Sequence, residues 1–193
     1  LNCQLLQQGL AEREIDALIA PPLYWGISKD LENYPGTFSV RPETMKALLV
    51  DTLMSLRSWG VEYVFVQNAH GDKIHLQMIR EAIQEVNKLG GTKVFFMWDL
   101  EVEPEHNYKF PEERKGRYQP DYHAGSIETA QMAVFFPEKV KKDVAEKLQP
   151  HDSFHPSAYV GDPASYKLDM EAGIEFTRAD VAVDVLKIET LLK

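Results

Sequence analysis

Val61-Glu62-Tyr63-Val64-Phe65-Val66-Gln67-Asn68-Ala69-His70-Gly71-Asp72-Lys73-Ile74-His75-Leu76-Gln77-Met78-Ile79 is the stretch that decides the fold. Five of its first six residues are β-branched or aromatic, so they read as a strand. Asn68–Asp72 is short and polar, and a run with apolar residues at helical spacing follows it. Ile74, Met78, Ile79, Ile83 and Val86 mark one face of that helix, over Ile74–Lys88, with His75 read as a surface residue at its start. Gly90-Gly91 stops the helix, and Lys93–Met97 reads as the next strand, ending at Trp98-Asp99. Strand, helix and strand joined by short connections make a parallel βαβ unit. The expected fold class is therefore α/β.

Outward from this unit, Leu5–Glu14 reads as a helix. Ile15–Ala20 reads as a buried strand closed by Pro21-Pro22. Leu23–Phe38 is a loop rich in Tyr, Trp, Gly and Pro. Pro42 sits in the first turn of a helix that carries Leu48, Leu49, Leu53 and Leu56 up to Gly60. Downstream, Glu101–Tyr122 is polar and reads as a long loop or lid. Ser126–Phe136 and Pro137–Leu148 read as helices, His151–Tyr166 as irregular, and Glu171–Leu192 as a terminal helix. No repeat or linker divides the chain, and residues 1–193 are expected to form one domain.

Composition narrows the function. The 193 residues are 44% hydrophobic, enough for a core, and the formal net charge of −9 comes with no offsetting basic stretch. Nucleic acid and anionic membrane are poor partners for such a surface. Lys139-Val140-Lys141-Lys142 stands beside Asp143 and Glu146 and reads as a solvated helix face. No apolar run approaches a membrane span and no signal peptide is visible. A single cysteine, Cys3, excludes an internal disulfide, and a cytoplasmic location is expected.

Two polar segments carry the chemistry. In a parallel sheet the carboxyl ends of strands face the site crevice, and Asn68–Asp72 stands at such an end. His70 and Asp72, two residues apart in an extended turn, can address one divalent metal. The following helix would offer its N-terminal amides to an anion or oxyanion. The same residues also read as a plain strand-to-helix turn with an Asp cap. The second segment is Asp121-Tyr122-His123-Ala124-Gly125-Ser126-Ile127-Glu128-Thr129, in which His123 and Glu128 flank a helix start. Glu128 in a first turn is favoured by the helix dipole in any case. Trp98 could wall a small-molecule pocket or simply pack at a sheet edge. Nucleophilic catalysis has no support: Cys3 lacks a local activator, and no Gly-x-Ser-x-Gly elbow or phosphate-binding glycine loop occurs.

Taken in order, these segments resemble the creatininase (creatinine amidohydrolase) family. Tyr34-Pro35-Gly36-Thr37 stands for the family's Phe-Pro-Gly-Thr, and Asn68-Ala69-His70-Gly71-Asp72 for Asn-Gly-His-x-x. Trp98-Asp99 follows, then His123-Ala124-Gly125-Ser126-Ile127-Glu128-Thr129 for His-Ala-Gly-x-x-Glu-Thr; Gly161-Asp162-Pro163 is also similar. The resemblance implies a three-layer α/β/α sandwich around a largely parallel sheet, holding one or two divalent ions (Zn, Mn or Fe). It implies hydrolysis of a small cyclic amide, formamide or related carbonyl substrate by metal-activated water. Its alternatives are ring carbon–carbon hydrolysis of an inosose, or a non-catalytic ligand-binding relative. By resemblance His70 is a metal ligand, Asp72 and Glu128 are carboxylates at the metal, and His123 is the proton-shuttling histidine. Trp98 matches a substrate-covering tryptophan, and Ser28 and Asp121 join it as expected substrate contacts. A homo-oligomer such as a hexamer is also implied. The family's Glu-x-His and Thr-Asp ligands would lie before Leu1. With no initiator Met, the chain is expected to be part of a longer protein.

Overall fold

The structure, a computed structural model, describes residues 1–29, 31–32, 34–106, 126–141, 143 and 170–193. In chain order its main elements are α1 (Asn2–Ala11), α2 (Pro42–Ser58), β1 (Tyr63–Val66), α3 (Lys73–Asn87), β2 (Lys93–Phe96), α4 (Ser126–Phe135) and α5 (Met170–Leu192). The chain divides into two compact units. One is formed by residues 16–101, the other by residues 1–15 with 102–192.

In the unit of residues 16–101, β1 and β2 pair in parallel, with Tyr63 opposite Lys93 and Val66 opposite Phe96. Alternate side chains of a strand point to opposite faces. Val64, Val66, Val94 and Phe96 accordingly share one face and join the core made by α2 and α3. Helix α2 contributes Met45, Leu49 and Leu53, and α3 contributes Met78, Ile79, Ala82, Ile83 and Val86. Burying each of these Met, Leu, Ile and Val side chains stabilises by roughly 1.5–3 kcal/mol. The turn between α2 and β1 is set by Gly60, at φ +80°. The Gly60 amide donates to the Arg57 carbonyl (3.0 Å), and the Val61 amide reaches back to Leu56 (3.2 Å). This Schellman pairing satisfies carbonyls the helix end would leave bare. The expected βαβ order and the α/β class are thus observed.

Three expectations change. Ile15–Ala20 is not a buried strand. It carries no strand assignment, most of its residues are exposed, and Leu18 is 98% exposed. Pro137–Lys139 forms only a 3₁₀ turn, and Val140 is already extended; the rest of the expected helix to Leu148 lies mostly outside the described residues. The buried stripe of α3 begins at His75, which is 8% exposed, whereas Ile74 is 42% exposed. Positions 75, 78, 79, 82, 83 and 86 keep one phase of a 3.6-residue repeat, and Ile74 falls out of it.

The second unit packs α1 and α4 against α5. Small residues allow the close approach. A Cβ on Gly9 would sit 2.7 Å from Val185 Cγ2, and one on Gly173 would meet Ala130 at 3.1 Å. Thr177, almost fully buried, accepts from Gln131 Nε2 and donates to the Gly173 carbonyl, both at 2.8 Å. Arg13 and Glu189 pair at 2.6 Å. No described helix is long and apolar enough to cross a membrane.

Candidate functional site around His70

The carboxyl end of β1 runs into Gln67-Asn68-Ala69-His70-Gly71, and Asp72 then caps α3. Asp72 Oδ1 accepts the amides of Ile74 (2.8 Å) and His75 (3.0 Å), two of the donors a helix start leaves orphaned. Asp72 Oδ2 accepts the Lys29 amide at 3.2 Å. The cap reading of Asp72 is therefore the observed geometry. It also corrects the expectation that these helix amides serve an oxyanion: those of Ile74 and His75 are already engaged.

The loop from Gly26 to Lys29 is held against this helix start by both histidines. The Ile27 amide donates to His75 Nδ1 (3.2 Å), and His70 Nε2 lies 2.8 Å from the Ile27 carbonyl. Ile27 itself is fully buried. A Cβ on Gly26 would fall 2.3 Å from His75 Cε1, so no larger residue fits there without moving the ring. Across the loop, Gly26 bridges Ser39, the Val40 amide donates to the Gly26 carbonyl (2.9 Å), and the Ser28 amide donates to Ser39 Oγ (3.0 Å). Next to it, Tyr34-Pro35-Gly36-Thr37 is a tight turn closed by Thr37 N–H to the Tyr34 carbonyl at 3.1 Å. Gly36 takes the φ of +98° that this turn requires.

The imidazoles of His70 and His75 meet edge to face, 5.1 Å between centroids. Burial, and secondly the neighbouring His70, hold His75 below the usual imidazole range. A neutral His75 can accept through Nδ1 and donate through Nε2, which lies 3.0 Å from Asn68 Oδ1. His75 is the residue that the sequence reading missed. Its place on the apolar stripe of α3 was the available signal.

Trp98 stands beside this network. Its indole N–H donates to the Asn68 carbonyl at 2.9 Å, and its ring stacks on Phe96, leaving it 47% exposed. Arg80 on α3 grips the adjacent Asp99 with both Nε and a terminal nitrogen (2.6–3.0 Å), which fixes the turn that carries Trp98. The structure thus brings together His70, Asp72, Trp98 and the Ser28 segment. Glu128 lies in α4, exposed, in the other unit. His123 and Asp121 lie outside the described residues.

The donor set can be tested against a divalent metal. Among the described residues no hydrogen bond reaches His70 Nδ1, and a neutral imidazole nitrogen suits Zn, Mn or Fe. Asp72 is already engaged by three backbone amides. No group of three His, Cys, Asp or Glu side chains gathers for an ion among the described residues. They therefore provide a first nitrogen donor, with the remainder of a coordination set to come from elsewhere.

Residues 2–179 match the family profile described as creatinine amidohydrolase (creatininase). The mycofactocin precursor peptide peptidase of Mycolicibacterium smegmatis is 36% identical over 70 residues, which is 36% of this chain and 28% of that protein. Among solved structures, creatinine amidohydrolase (creatininase) superposes with a TM-score of 0.59 at 22% identity, covering 100% of this chain and 80% of that one. A mutant creatininase of Zn–Zn type gives 0.60 at 20% identity, covering 98% and 79%. The structural likeness establishes the fold, and the profile match establishes descent: the chain belongs to the creatininase family of hydrolases.

Proposed function

We propose that this chain carries part of the active site of a metal-dependent amidohydrolase, which cleaves the amide bond of a small carbonyl substrate. The observation that carries the reading is the His70 ring. It stands at the carboxyl end of β1 with Nε2 on the Ile27 carbonyl and Nδ1 unengaged among the described residues, next to the half-exposed Trp98. A peptide amide is the substrate to test first, because the curated relative with 36% identity over its match is named a peptide peptidase.

In this reading His70 holds a divalent ion through Nδ1, and Asp72 and Glu128 are proposed as metal carboxylates on the family resemblance alone. Such an ion, when bound, lowers the pKa of water toward about 7 and so supplies hydroxide at neutral pH. Trp98 covers the substrate from the β2 side. Ser28 and Asp121 orient it, and His123 delivers a proton to the leaving nitrogen. The test is metal analysis and amide turnover of the full-length protein, screened with peptides, creatinine and formamides. His70→Ala is expected to lose metal and turnover together. His123→Ala should keep metal while turnover falls by about 10²–10⁴-fold. A His70→Ala protein with full metal content and full activity overturns the reading.

A further inference from the structure

Four hydrogen bonds close a ring through Asn68, His70, Ile27 and His75. Asn68 Nδ2 donates to the His70 carbonyl at 2.6 Å. His70 Nε2 lies 2.8 Å from the Ile27 carbonyl, and the Ile27 amide donates to His75 Nδ1 at 3.2 Å. His75 Nε2 lies 3.0 Å from Asn68 Oδ1, which closes the circuit.

One placement of protons satisfies all four contacts when both rings are neutral. A carbonyl oxygen only accepts, so His70 Nε2 must carry hydrogen and the lone pair must sit on Nδ1. A backbone amide only donates, so His75 Nδ1 must accept and its proton must sit on Nε2. Asn68 then meets His75 with its oxygen and His70 with its nitrogen. Every member donates once and accepts once in the same sense around the ring, and polarisation passes from bond to bond through the two conjugated groups that do both, the His75 ring and the Asn68 amide.

We propose that His75 and Asn68 are positioning residues that lock His70 in its Nε2–H tautomer, so that His70 meets its ligand through Nδ1 alone. A ring nitrogen held on a backbone carbonyl orients an imidazole for ligation at the other nitrogen. The alternative is a histidine that merely fills the core, and two features of the sequence oppose it. His75 occupies the first position of an otherwise apolar stripe, where a polar ring needs partners to be tolerated. Gly26 leaves the space in which that ring sits. Neither position would need its residue type if only volume mattered.

The inference rests on the reading of His70 as the site's nitrogen donor, and one experiment separates the two. The full chain, labelled with ¹⁵N-histidine and stripped of metal, is examined at mildly alkaline pH by long-range ¹H–¹⁵N correlation, which distinguishes the two tautomers. His70 and His75 are both expected as single Nε2–H species. His75→Phe keeps the ring's bulk and removes the acceptor, so His70 should spread over both tautomers. His75→Gln retains one acceptor and one donor and should restore the single species, which a packing role alone would not do. If His75→Phe does not fold, the native chain decides: His70 as an Nδ1–H species overturns the proposal. A folded His75→Phe in which His70 stays a single Nε2–H species overturns it too. Zn²⁺ added to the native chain should perturb His70 at Nδ1. Zinc on Nε2 overturns the inference and leaves the donor role of His70 standing. A single Nε2–H tautomer with no zinc effect supports the lock and counts against His70 as a metal ligand.

Discussion

Asp72 divides two tasks between its oxygens. Oδ1 closes the first turn of α3, and Oδ2 holds the Lys29 amide 43 residues away in sequence. The two can be separated by Asp72→Asn, whose single carbonyl oxygen can still cap while its NH₂ cannot accept from Lys29. The variant should unfold within about 1 kcal/mol of the parent, because Asn caps helices as well as Asp does. The Lys29 amide, in contrast, should exchange its hydrogen markedly faster. Unchanged exchange at Lys29 would show that the loop is held without Asp72. This double use also explains what was legible at the residue scale. Asp72 as a cap and His70 at a strand end follow from local order in the sequence. The tie to Ile27 does not, because its partner groups are backbone N–H and C=O, which every residue type but proline supplies.

At the scale of elements, α3 joins core to site. Its stripe of Met78, Ile79, Ala82, Ile83 and Val86 packs with α2 and the sheet, and the same stripe ends in His75 under the loop. Periodicity reveals such a helix well, since five apolar residues in phase leave little choice of face. It misassigned Ile74 and His75 because residue type was weighed above phase. It also read Ile15–Ala20 as a buried strand, whereas Leu18 and Ile19 stand exposed, because burial depends on what packs over a segment and not on its own apolar content. The core prediction belongs to α2. Leu53 is 2% exposed at the centre of the packed face. Leu53→Ala should lower unfolding free energy by about 2–5 kcal/mol through lost burial plus a residual cavity. Denaturant unfolding checks it, and a loss below the uncertainty of extrapolation would mean that α2 does not carry this core.

For the whole molecule, the sequence order of motifs was enough to name the family, because five short matches in register constrain more than any one of them. What could not be read was that Glu128 and His70 belong to different compact units. The net charge of −9 acts at this scale as well. A polyanion should be repelled, so the protein is expected to pass through a heparin column at low salt without retention. Retention there would reveal a basic patch that composition conceals.

Trp98 gives the site an optical reporter. Of the three tryptophans, Trp25 and Trp59 are well exposed, whereas Trp98 is bonded through its indole to the residue that begins the His70 turn. Replacing Trp25 and Trp59 with Phe would leave one fluorophore, whose emission depends on that hydrogen bond and on what approaches the neighbouring ring. A ligand arriving at His70 should then register as a change in the colour or intensity of emitted light, before any product is formed.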